Sequence, residues 1–109
     1  MAIKRIWHGW TAPQDADTYR QLLHDEVFPS IEEKKIPGYL SIELLRRDLE
    51  DEIEFITLMT FESLQNVIDF QGENYARCYV PEAAQLKRWD QFSSHYEAVE
   101  TRNYGADGS

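Results

Sequence analysis

The stretch from Glu54 to Asn74, EFITLMTFESLQNVIDFQGEN, limits the possible folds more than any other. Its first half alternates as a strand, and both faces carry bulk. Ile53, Phe55, Thr57, Met59 and Phe61 fall on one face; Glu54, Ile56, Leu58 and Thr60 fall on the other. Successive side chains point to opposite sides of a strand, so a sheet with one wet face reads apolar, polar, apolar. Ile56 and Leu58 break that pattern, so the strand is central and needs cover on both faces. Ser63 then offers an N-cap, Leu64, Val67, Ile68 and Phe70 recur at helical spacing, and Gly72 supplies a stop. A strand buried on two sides thus runs into a helix that lies back over it.

The remaining elements follow in chain order. Ile3 to Thr11 reads as a strand rich in Ile and Trp, with Arg5 and His8 among them. Pro13 suits a first helical turn. Ala16, Tyr19, Leu22, Leu23, Val27 and Ile31 then recur three and four apart, the stripe of an amphipathic helix. Pro29 lacks the N–H that would bond the Asp25 carbonyl, so this helix is expected to kink or end near Phe28. Ser30 to Glu33 has capping-box spacing, which suggests a fresh turn there. Tyr39 to Arg47 is the second strand, with Leu40, Ile42 and Leu44 sharing a face. Asp48 to Asp51 is a short polar turn, so that strand and the central one form a hairpin. Asn74–Tyr79 and Pro81–Leu86 are read as helical turns. Phe92 to Val99 is the last strand, and Thr101 to Ser109 reads as a loose polar tail after a domain of about residues 1–100.

The order is β-α-β-β-α-β. That is the ferredoxin-like α+β arrangement, one antiparallel sheet with both helices on one face. Two helices leave the other face bare, with Ile56 and Leu58 on it. An apolar patch of that kind marks an interface, and a second copy is the simplest cover, so a homodimer is expected.

Composition excludes several function classes. At 109 residues the chain is one domain, able to bury roughly 65% of its unfolded surface. A net charge of −9 argues against binding nucleic acid or an anionic membrane. No apolar run reaches signal-peptide or membrane-span length, and a cytoplasmic protein is expected. Cys78 is the single cysteine, which rules out an internal disulfide and a cysteine zinc site. Three His without close spacing give no metal signature. The reading is of no metal and no cofactor, and neither a phosphate loop nor a nucleophile elbow is present.

IKRIWHG at the start, the Glu54–Asn74 stretch, YVPE at Tyr79 to Glu82 and the terminal SHYEAV resemble the antibiotic biosynthesis monooxygenase-like family. The likeness spans about Ile3 to Val99. It implies a dimeric α+β barrel, with a pocket between sheet and helices. The superfamily includes cofactor-free oxygenases of aromatic polyketides and quinols, and haem-degrading enzymes. Members often carry Trp at the strand-to-helix junction, where this chain has Phe61. The haem-degrading branch uses an Asn on the first strand and a His on the second helical region. This chain has neither, with YARCY at Tyr75 to Tyr79, so haem degradation is disfavoured.

Each candidate residue has a plain alternative. His8 and His95 sit on strands that should be neighbours, and either could serve as a base because His titrates near neutrality. Register decides which one faces the helices. The plain reading of each is a half-buried strand residue satisfied by a neighbour. His24 falls on the wet side of its helix. Tyr75 and Tyr79 offer a ring and a hydroxyl for a substrate, and Trp7, Phe61 and Phe70 are core residues able to wall a pocket. Arg46 and Arg47 could grip an anion, but Glu52 and Glu54 stand ready as cross-strand partners. Cys78 reads as small apolar filling.

Two functions fit. One is a cofactor-independent monooxygenase acting on a phenol or quinol, with His95 or His8 as base, Tyr79 orienting the substrate and Trp7, Phe61, Phe70 and Tyr75 beside it. The other is a non-catalytic, small-ligand-binding or stress-responsive homodimer. The Phe at the junction favours the second.

Overall fold

In the computed structural model, residues 2–76 and 84–105 are described. Three long strands carry the architecture: β1 (Ile3–Thr11), β2 (Tyr39–Asp48) and β3 (Ile53–Phe61). β3 lies between β2 and β1, and both of its pairings are antiparallel. Burial alternates along β1 from Ile3 to Thr11 without a break, odd positions being the more buried. The far edge of β1 is shared by two short antiparallel strands. β4 (Arg88–Trp89) pairs with Gly9 and Trp10, and β5 (Ser94–Glu97) pairs with Ile3 to Ile6. The result is an open, ferredoxin-like α+β sheet.

The last strand is shorter than expected. The Ser93 N–H turns away to bond the Ala76 carbonyl at 2.6 Å, and Phe92 and Val99 are exposed. β4 was not anticipated. Its pairing extends through Lys87 N–H to Trp10 O and Asp90 N–H to His8 O, backbone bonds that leave little trace in side-chain pattern.

The first helical region departs from expectation at Pro29. α1 (Ala16–Leu22) passes through a π-helical turn, Leu23–Val27, directly into α2 (Phe28–Glu33). Phe28 N–H bonds Leu23 O, five residues back. The wider turn makes room for the proline ring just where an α-helix would press it against the Asp25 carbonyl. The helix therefore neither ends near Phe28 nor restarts at Ser30, which lies inside α2 without acting as a cap.

The second helix, α3 (Leu64–Gln71), matches its sequence signals. Ser63 Oγ accepts the Asn66 N–H at 3.3 Å, and Gly72, at φ 88°, closes the other end by donating to Ile68 O. Gly38 is needed for the same junction. Its φ is +75°, and a Cβ there would sit 2.3 Å from Asn66 Cγ. A bulge between Tyr39 and Ser41 changes one assignment on β2. Leu40 does not share the helix-side face with Ile42 and Leu44. It is 55% exposed, and Tyr39 takes the inner place, its ring 5.4 Å from Phe61.

The core forms two groups on the helix side. One, centred on Trp7, Tyr19, Leu23 and Phe55, lies by α1. The other, centred on Ile3, Met59, Phe61 and Val67, lies by α3 and takes in Phe70 and Tyr75. Burial raises the Tyr19 phenol far above its ordinary pKa, only partly offset by a hydrogen bond with Thr57, so it stays protonated.

Candidate functional site

Strand register settles which histidine faces the helices. His95 stands opposite Arg5, and Arg5 shares the inward positions of β1 with Ile3 and Trp7. His8 stands one residue out of phase, opposite Ile56, on the open face. The two candidate bases therefore lie on opposite sides of one sheet, and only His95 belongs to the helix-side space. His24 is exposed on its helix.

Around His95 the chain assembles three side chains from three places. Tyr75, just after α3, meets the imidazole edge to face with ring centroids 5.1 Å apart. Arg5 is 7% exposed and reaches across, its Nη2 donating to Tyr75 O at 3.1 Å and its Nη1 to Met59 Sδ at 4.0 Å. His95 Nε2 is buried and has no hydrogen-bond partner among the described residues. Burial chiefly, and the Arg5 charge next, hold the His95 pKa below its ordinary value, so the ring is neutral at pH 7. A neutral imidazole with an open nitrogen can accept a proton, and the adjacent guanidinium favours negative charge beside it.

The other helix-side candidates divide between the two core groups. Phe61 and Phe70 lie near this cluster, their centroids 5.9 Å apart, and Phe61 is fully buried. Trp7 belongs to the α1 group, its Nε1 donating to Asp90 O at 2.7 Å. Tyr79 and Cys78 lie outside the described residues. Arg5 is the residue that sequence reading missed. Its signal was present: an arginine at an inward position of a central strand, between Ile3 and Trp7.

The open face holds a different cluster. His8 Nδ1 is 2.9 Å from Glu54 Oε2, and Arg47 Nε donates to Glu54 Oε1 at 2.9 Å. Trp10 stacks on the His8 ring at 5.8 Å, and Arg88 lies over Trp10 at 4.0 Å. Arg47 thus has the cross-strand acid expected of it, whereas Arg46 bonds Asp48 and Glu52 pairs with Arg88. A cleft of about 340 Å³ opens here, lined by His8, Leu45, Arg46, Arg47, Glu54 and Ile56. Among the described residues no group of three or more His, Cys, Asp or Glu could hold a metal ion, and no helix is long and apolar enough to cross a membrane.

The Glu54 carboxyl titrates below the usual range, through its bond to His8 first and Arg47 after it. A lowered folded pKa adds stability at pH above the unfolded value near ~4.3, lost as pH falls through the lower folded value. Urea midpoints should therefore show Glu54→Gln less stable than wild type at pH 6, with the gap closing below pH ~4. A gap constant with pH would mean that the carboxylate charge contributes nothing.

No family model matches the chain, and no curated protein sequence matches it. A solved structure does. The chain superimposes on a Bacillus cereus protein described as a candidate antibiotic biosynthesis monooxygenase, with a TM-score of 0.66 over 95% of this chain and 97% of that one. The likeness is one of fold. Sequence identity is 9%, so individual residues do not carry over. The resemblance read from the sequence and the structural match agree on the fold.

Proposed function

We propose that the chain is a cofactor-independent monooxygenase of a phenolic or quinol-type small molecule, bound beside His95. The observation that carries this reading is the buried Nε2 of a neutral His95, without a hydrogen-bond partner among the described residues and set against Arg5 and Tyr75. A phenol supplies the missing hydrogen bond, and its ring can stack in the aromatic group that includes Phe70. Loss of the phenolic proton makes the ring electron-rich enough to reduce O₂. One oxygen atom then enters the ring as a quinone carbonyl and the other leaves as water, both electron pairs coming from the substrate. His95 accepts the proton, and Arg5 stabilises the charge left behind. Oxygen uptake by purified protein with a panel of quinols and polycyclic phenols, without added cofactor, tests the reading. No uptake above the protein-free rate across the panel would remove the enzyme assignment.

The second reading, a non-catalytic binding homodimer, is favoured by the close packing of Phe61 and Val67, both 0% exposed. Both readings share one assembly. Ile6, Leu45, Ile56 and Leu58 lie on the open face of the sheet. A second copy packed sheet to sheet would cover them and complete the barrel. Light scattering on a gel-filtration eluate should give twice the 12.8 kDa chain mass. A monomer at micromolar concentration would contradict it.

A further inference from the structure

The open face carries its own imidazole, aimed by a buried acid. His8 Nδ1 lies 2.9 Å from Glu54 Oε2. Glu54 is 5% exposed, and its carboxyl titrates below the usual range, through the His8 bond first and Arg47 after it. An ionised carboxylate only accepts hydrogen bonds, so His8 Nδ1 carries a proton. The lone pair of a neutral His8 is then on Nε2, which has no hydrogen-bond partner among the described residues. Trp10 stacks on one side of the ring, with the two planes 20° apart. Arg47 holds the other carboxylate oxygen through Nε and Nη2, which leaves Nη1 for another acceptor.

The cleft of about 340 Å³ beside these groups has Leu45 and Ile56 as apolar walls. Arg46 lines it too, but its guanidinium is engaged by Asp48. β2 is an outer strand of the described sheet, and the Arg47 side chain on it is 70% exposed, so the cleft reaches the sheet edge. A second copy over Ile6 and Leu58 would roof the cleft and leave that edge as its mouth.

We infer that His8 and Glu54 form a second proton-accepting site, separate from His95, for a small uncharged carbon acid with a C–H next to a carbonyl group. His8 Nε2 takes the proton. The C–H electron pair becomes the C=C of an enolate, and the negative charge moves to the carbonyl oxygen. Glu54 offsets the imidazolium and Arg47 the enolate, so the loaded cleft is neutral as a whole. Return of the proton to a different carbon completes an isomerisation that needs no electron acceptor. His8 touches the substrate, and Glu54 positions His8.

5-Nitrobenzisoxazole is a suitable probe, because loss of one C–H proton opens it to a coloured phenolate. The C–H electron pair forms a nitrile as the N–O bond breaks, and oxygen takes no part. Under argon the full chain should open it ~10²-fold or more faster than buffer, with saturation. His8→Ala should lose most of that gain and Glu54→Gln about tenfold or more, while His24→Ala keeps the wild-type rate. Nitrogen NMR spectra give Glu54 a readout of its own. Neutral His8 should show Nδ1 protonated and Nε2 bare in wild type, and a mixture of tautomers in Glu54→Gln. Adding 6-nitrobenzotriazole, an inert analogue of the probe, should move the His8 Nε2 resonance of wild type, an arm that stands should the variants fail to fold. A buffer-level rate, a rate kept in His8→Ala but lost in His95→Ala, or an unmoved His8 resonance would each overturn the inference. The phenol reading at His95 is tested by oxygen uptake and survives any of these failures.

Discussion

His95→Ala should lower oxygen consumption with a phenolic substrate by ~10²–10⁴-fold, the usual cost of losing a general base. His8→Ala and His24→Ala should stay near the wild-type rate. The contrast between His95 and His8 follows from register alone. The two residues occupy neighbouring strands, but β5 places His95 opposite Arg5, whereas His8 falls three positions after Arg5 on β1, an odd number, and so on the other face. His8 is already bonded to Glu54, and its cleft is on the side away from the helices. His95→Gln is a useful companion variant. An amide can fill the space and hydrogen-bond the substrate, but it cannot accept a proton, so substrate binding should survive while turnover falls. Unfolding midpoints matched to wild type would show that the loss lies in chemistry. Equal turnover by His95→Ala and wild type would place the base elsewhere. Loss of turnover in His8→Ala alone would move the site to the open face.

Much of the fold could be read from the chain because its signals are local. β1 and β3 are each nine-residue runs rich in β-formers, and Ser63 and Gly72 bracket α3 with side-chain and backbone geometry that few other residues supply. What could not be read depends on contacts distant in sequence. The bulge at Leu40 is set where Tyr39 docks on Phe61, and nothing within β2 announces it. The π-turn before Pro29 is one of several ways to accommodate a proline, and packing of Leu23 and Val27 against the sheet selects it. β4 exists because the backbone around Arg88 meets β1. The same limit applied to the site. His95 and Tyr75 were legible as candidates by residue type, but their union with Arg5 needed the pairing of the first and last strands in register. A one-residue slip would have exchanged the roles of the two histidines.

Phe61→Ala should destabilise the fold by ~3–5 kcal/mol, the range for removing a fully buried aromatic side chain. That is a large share of the ~5–15 kcal/mol that holds a typical domain together. Phe61 is 0% exposed and sits where β3 turns into α3, with its ring 5.4 Å from Tyr39 and 5.9 Å from Phe70. Its loss opens a cavity between the first residue of β2 and the last turn of α3, in the core group that also holds Ile42 and Val67. Urea titration followed by far-ultraviolet circular dichroism would give the size of the effect, and a change under ~1 kcal/mol would mean that the pocket around Phe61 collapses freely. Phe61→Trp asks the converse question, because the larger ring tests for spare volume at this junction. A site with no spare volume should reject the larger ring at a cost of ~1–3 kcal/mol. A neutral or stabilising Phe61→Trp would instead reveal unfilled space beside Phe70 and Tyr75, which is the space that a phenol bound at His95 would occupy.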